Sequence, residues 1–104
     1  KVRNLIQVGD LVLDIDTYKV IWKNAHVVLS DTEGRILKVL LERYPELASK
    51  QELLIELWGS EEYVDENILQ VNMTRLRKSL DSIGLRDMVQ TVRGQGYRLE
   101  VSKP

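Results

Sequence analysis

"NILQVNMTRLRKSLDSIGLRDMVQTVRGQGYRLEV", residues 67–101, decides the fold. Its first half repeats apolar residues at helical spacing, and its second half holds two β-prone runs around Gly94-Gln95-Gly96. At about 100° per residue, Asp65, Leu69, Met73, Leu76 and Leu80 share one stripe about 80° wide. That periodicity predicts a helix from about Asp65 to about Ser82, closed by Gly84. "MVQTV" and "YRLEV" then read as two strands of a hairpin joined by the glycine-bearing turn. A dinucleotide loop is excluded there, because a third glycine is missing and a strand, not a helix, follows. A purely structural hairpin explains the glycines, which supply positive φ in a tight turn, but not Arg93 at the turn.

Upstream, the chain reads as strands and then two further helices. "LVLDID" (11–16), "YKVIW" (18–22) and "AHVVL" (25–29) are rich in β-formers, with turn signals at 16–17 and 23–24. Ser30 and Glu33 form a capping box ahead of Ile36, Leu37, Val39, Leu40 and Leu41. Pro45 should end that helix near Tyr44. A second capping box, Ser49 with Glu52, precedes Leu53, Leu54, Leu57 and Trp58, and Gly59 stops the run. Strands, three helices and a hairpin, in that order, make an α+β domain.

Composition agrees. The 104 residues, 43% apolar and 30% charged, suit one soluble domain spanning 1–104. With no cysteine there is neither a disulfide framework nor a thiolate metal site, and no cofactor or metal is expected. No apolar run approaches the roughly 20 residues of a membrane span, so a cytoplasmic protein with no membrane partner is expected. Beginning at Lys1 rather than Met, the chain reads as a piece of a longer polypeptide.

The net charge of −1 hides an uneven distribution. Residues 1–64 carry eight basic and eleven acidic side chains, whereas 65–104 carry seven basic and five acidic ones. Neither Asn67–Ser79 nor Met88–Leu99 contains a carboxylate. Opposite the apolar stripe of the third helix lie Asn67, Val71, Thr74 and Lys78, with Arg75 beside them and Gln70 and Arg77 at the boundary. An ordinary solvated face would account for much of this. It would not account for the missing i,i+4 carboxylate partners, nor for an outward Val71. Arginine for guanine edges, amides for adenine or phosphate and a small apolar group for thymine methyl are what a groove-reading helix needs. Asp65 and Glu66, following Glu61 and Glu62, suit a helix N-terminus and would repel phosphate there.

"LSDTE" (29–33), "SKQELLIELWG" (49–59), "VNMTRLRKSL" (71–80) and "MVQTVRGQGYRL" (88–99) resemble the C-terminal effector domain of OmpR/PhoB-family bacterial response regulators. The resemblance covers nearly the whole chain. It implies a winged helix-turn-helix: an N-terminal four-stranded antiparallel sheet, three helices and a C-terminal hairpin wing. It further implies sequence-specific binding of double-stranded promoter DNA, the third helix in the major groove and the wing (about 89–101) in the minor groove. By position, Arg75 matches a base-reading arginine, with Arg77 its neighbour in the contact region, and Val71 a valine that meets thymine methyls. Asn67, Asn72, Thr74 and Lys78 belong to the same contact surface. Trp58 falls where backbone phosphates are met, and Thr91 and Arg93 match wing residues, Arg93 entering the minor groove. Loop 59–64 corresponds to a segment that meets RNA polymerase or shapes DNA contact. A receiver domain phosphorylated by a cognate sensor kinase, and a homodimer on tandem half-sites, are implied outside this chain.

The departures from the family pattern also carry information. Asn67, Asn72 and Thr74 stand where many members have arginine, histidine and arginine, so charge is lost while hydrogen-bonding groups remain. Gly34 replaces a usual aromatic, leaving space that Trp22 is expected to fill, and Asp31 replaces a common proline. "DENILQVN" (65–72) looks like a branch associated with cell-envelope and antimicrobial-peptide responses.

Other functions find less support. His26, the single histidine, sits in a strand without an acid–nucleophile constellation, so no catalytic residue is assigned and no enzyme is expected. Asp14 and Asp16 share a strand face and read as solvated rather than as a cation site. The alternative is a winged-helix protein–protein interaction module, its cationic face meeting an acidic partner.

Overall fold

A computed structural model describes residues 4–57 and 65–101. Four short strands, β1 (Leu5–Val8), β2 (Leu11–Asp14), β3 (Lys19–Trp22) and β4 (Ala25–Val28), form an antiparallel meander in the order β1-β2-β3-β4. Alternation places Leu11, Leu13, Val20 and Trp22 on the buried face. Trp22 is 9% exposed. The residues alone indicate three of these strands; β1, with Leu5 half exposed, is a weakly buried edge that only the family resemblance anticipates.

Two details correct the sequence reading of this sheet. Asp14 is 7% exposed rather than solvated, and its Oδ1 accepts from the Asp16 backbone N–H at 2.9 Å, organising the β2–β3 turn. Tyr18 is not a strand residue but a left-handed turn residue, φ 58°, whose N–H donates to the Asp14 carbonyl. Its ring, not Trp22, occupies the space left by Gly34: a Cβ on Gly34 would lie 2.1 Å from Tyr18 Cγ. The aromatic missing from the first helix is thus supplied from the sheet.

Helix α1 (Asp31–Arg43) starts at Ser30, whose Oγ accepts from Glu33 N–H at 3.3 Å, and stops one residue before Tyr44, as Pro45 requires. Glu33 does more than cap. It is 8% exposed, its carboxylate accepting from Ser30 Oγ at 2.9 Å and from Ser79 Oγ at 3.1 Å, which ties α1 to the third helix. Helix α2 (Lys50–Leu57) is capped by Ser49 Oγ, which accepts from Glu52 N–H at 3.0 Å. The Glu52 carboxylate does not close the box; it pairs with Arg43 at 2.8 Å. Helix α3 (Glu66–Asp81) begins at Asp65, assigned to the apolar stripe by periodicity but acting as N-cap, its Oδ1 accepting from Ile68 N–H at 2.9 Å. Leu69, Met73, Leu76 and Leu80 are at most 1% exposed and meet α1 and α2 in the core.

The hairpin is β6 (Val89–Val92) and β7 (Gly96–Leu99). A two-residue strand that the sequence reading does not contain, β5 (Ala48–Ser49), joins it, giving a second sheet in the order β5-β7-β6. Gly96 makes that pairing feasible, because a Cβ there would sit 2.0 Å from the Ala48 carbonyl oxygen. Its absent side chain therefore serves close approach of β5, not of an external ligand.

Candidate nucleic-acid interface

Helix α3 and the β6–β7 hairpin contribute to one core, Met73, Leu76 and Leu80 from the helix, Val89, Tyr97 and Leu99 from the hairpin, and Arg77 links them directly. What remains outside is the polar face of α3 and the hairpin turn. Asn67, Gln70, Val71, Thr74, Arg75 and Lys78 are exposed, Val71 to 49%. A shallow depression of about 340 Å³ lies on this face, lined by Asn67, Ile68, Val71, Asn72 and Arg75. Its apolar wall and arginine rim can take a flat edge bearing both a methyl group and hydrogen-bond acceptors.

At the hairpin turn, Gln95 N–H donates to the Val92 carbonyl at 3.0 Å, and Gly94 adopts φ 74°. The chain needs glycine there for its backbone conformation, and Arg93, beside it, is held out in solvent. Among the described residues, Arg75, Lys78 and Arg93 have no carboxylate within salt-bridge distance. These three exposed cations without internal anions leave local positive charge that a net charge of −1 conceals.

The remaining expected contacts are placed differently. Arg77 is half-buried and turned along the hairpin: Nε donates to the Val89 carbonyl at 3.3 Å and Nη2 to Thr91 Oγ1 at 2.8 Å. Arg77 and Thr91 therefore engage each other. Asn72 is 9% exposed, with Nδ2 donating to the Ile68 carbonyl at 2.9 Å, so it floors the depression instead of projecting. Its position seven residues after Asp65 puts it on the core side of the helix, a signal the periodicity contained. Thr74 is exposed, but its only hydroxyl proton goes to the Gln70 carbonyl at 3.0 Å, leaving Oγ1 an acceptor outward rather than the expected phosphate donor. Trp58 and loop 59–64 lie outside the described residues.

One neighbour of the surface was missed in the sequence. Lys50, at the start of α2, reaches Glu66 of α3 at 3.3 Å, and its backbone N–H meets the Gln95 carbonyl at the hairpin tip at 3.4 Å. Sixteen residues separate the ion-pair partners, so no local pattern marks them. His26 is exposed on β4. Among the described residues no cluster of His, Cys, Asp and Glu is placed to hold a metal ion, and no helix is long and apolar enough to cross a membrane.

Comparison with known proteins follows this geometry. The family model "Transcriptional regulatory protein, C terminal" matches residues 24–99. The phosphate regulon transcriptional regulatory protein PhoB of Rhizobium meliloti is 40% identical over 96 residues, 92% of this chain and 42% of that protein. The chain thus spans about two-fifths of the length of such curated relatives. Among solved structures, the C-terminal domain of the nisin resistance regulator NsrR, a lantibiotic response regulator, superposes with TM-score 0.81 at 39% identity, covering 94% of this chain and 99% of that one. The DNA-binding domain of the response regulator AdeR, in complex with an intercistronic region, superposes with TM-score 0.76 at 28% identity over 91% of this chain and 98% of that one.

Proposed function

Since the chain belongs to the C-terminal DNA-binding domains of OmpR/PhoB-family transcriptional regulators, we propose that it reads promoter DNA by placing α3 in the major groove and the β6–β7 wing in the adjacent minor groove. One observation carries this reading. The outward side of α3 and the wing turn bear Arg75, Lys78 and Arg93 without internal anions, set around an exposed valine. Arg75 reads a guanine edge, Val71 meets a thymine methyl and Asn67 donates to a base or phosphate. Lys78 neutralises phosphate, and Arg93 follows the narrow minor groove.

Family membership supports the rest of the regulatory reading. A receiver domain phosphorylated by a sensor kinase would pair two copies in the cytoplasm on tandem half-sites, with loop 59–64 turned to RNA polymerase. The AdeR domain's complex with DNA supports the DNA partner. The NsrR domain, from a lantibiotic response regulator, supports an antimicrobial-peptide response for this branch.

Selection of random duplexes on the 104-residue chain, followed by sequencing, tests the reading. A recovered half-site should lose about 1–3 kcal/mol of base discrimination in Arg75→Ala at one position. No enriched sequence, together with capture of an acidic protein partner by the same face, would favour the protein–protein module instead.

A further inference from the structure

The three outward cations are unpaired, but Arg77 is engaged three times over, and every partner belongs to the wing. Nε donates to the Val89 carbonyl, Nη2 donates to Thr91 Oγ1, and the guanidinium carbon lies 6.0 Å from the centroid of the Tyr97 ring. Thr91 and Tyr97 are cross-strand partners, so this one side chain touches both strands of the hairpin.

The strand order makes the contact more than decorative. β6 is the edge strand, with β7 on one side and, among the described residues, no strand paired on the other. In an antiparallel ladder the bonded and non-bonded pairs alternate, and Glu100 N–H donates to the Met88 carbonyl at 2.8 Å. The Val89 carbonyl, one residue on, therefore points to the free edge, where Arg77 takes it. A short hairpin has little stability of its own. The root of this one is buried through Val89 and Leu99, and its tip touches the backbone of Lys50. Between root and tip, the polar link to α3 is Arg77. The two-point geometry needs a guanidinium; an ammonium would keep the charge but cannot match the fork.

We propose that Arg77 is a positioning residue: a strut that fixes the wing against α3 and so sets the register between minor-groove and major-groove contacts. The part that concerns DNA rests on the reading given above; the strut itself does not, and can be tested without DNA.

Amide hydrogen exchange of the DNA-free chain should show the segment Thr91–Tyr97 opening about three- to tenfold more often in Arg77→Lys and in Thr91→Val, the range expected for one lost hydrogen bond. The exposed Thr91 site guards against a variant that merely fails to fold, and the double variant should exchange no faster than Arg77→Lys alone. In binding assays Arg77→Lys and Thr91→Val should both blunt discrimination at the minor-groove step, keep it at the Arg75 position, and leave the salt dependence unchanged. Unchanged wing exchange in both single variants overturns the strut whatever happens on DNA. So does the pattern of a phosphate contact, in which Arg77→Lys binds normally and Arg77→Gln lowers the salt slope by about one.

Discussion

The salt dependence of DNA binding follows from counting which cations are free. Among the described residues of α3 and the wing, Arg75, Lys78, Arg93 and Arg98 are unpaired, and the first three belong to the proposed interface, while Arg77 is committed to Val89 and Thr91 and Lys50 to Glu66. Each cation brought into the field of duplex DNA, whether it meets a phosphate or enters a groove, displaces counterions and contributes about −0.9 to the slope of log affinity against log salt, so three give about −2.7. Between about 50 and 200 mM salt, that slope corresponds to about a 40-fold loss of affinity. Arg93→Gln should reduce the slope to about −1.8 and the loss to about 12-fold. Fluorescence anisotropy of a labelled half-site duplex, titrated with the chain at several KCl concentrations, measures both numbers. A slope steeper than about −5 would mean that the internally paired cations are released onto DNA, and the distinction between free and committed cations would be wrong. A slope unaltered by Arg93→Gln would remove Arg93 from the interface altogether.

Three other substitutions probe the frame. Glu66→Gln frees Lys50 and removes an anion beside the interface, and should tighten binding by up to about 1 kcal/mol at low salt, a gain that screening abolishes at high salt; anisotropy at two salt concentrations checks it. Gly34→Ala forces the Tyr18 ring away from α1 and should destabilise by about 1–3 kcal/mol in urea unfolding. In a Tyr18→Ala background the same change should instead gain up to about 1 kcal/mol from helix propensity, and a cost that persists there would show that Tyr18 is not the obstacle. Gly96→Ala drives a methyl group into the Ala48 carbonyl and should cost more than about 2 kcal/mol in thermal unfolding, with loss of the β5–β7 pairing.

What the chain revealed in advance is what depends on near neighbours. Helix starts at Ser30 and Ser49, the stop before Pro45 and the apolar stripe of α3 are all set within a few residues. The two acid-free stretches were likewise visible as composition. What stayed hidden are pairings between distant residues. Ala48 with Tyr97, Tyr18 with Gly34, Ser79 with Glu33 and Arg77 with Thr91 each require the fold before they can be seen. Gly96 shows the difference well. As half of a Gly-x-Gly it reads as a turn glycine, and only the existence of β5 shows that it also admits the Ala48 backbone. Thr74 shows it at one atom: periodicity turned it outward correctly, but not the fate of its single hydroxyl proton.

Outside the outward face of α3 and the wing turn, some cations are matched by neighbouring carboxylates. Arg35 pairs with Asp31 at 3.0 Å, Arg43 with Glu52 at 2.8 Å and Lys50 with Glu66 at 3.3 Å. The Glu52 carboxylate, through its hydrogen bond and then its charge, raises the Arg43 pKa above the ordinary arginine value. Exposed pairs of this kind contribute little stability, but each offsets one cation outside the set Arg75, Lys78 and Arg93. On α3 and the wing turn the unpaired charge of the proposed interface is carried by few cations, Arg75, Lys78 and Arg93. Few cations mean weak nonspecific binding and a correspondingly modest affinity for one half-site. Under the tandem arrangement proposed here, the second copy would then bind at an effective concentration set by the dimer rather than by the cell. A domain already binding tightly alone would gain little from such pairing. Under that proposal, the sparse charge on this face would make receiver-driven dimerisation an effective control over promoter occupancy.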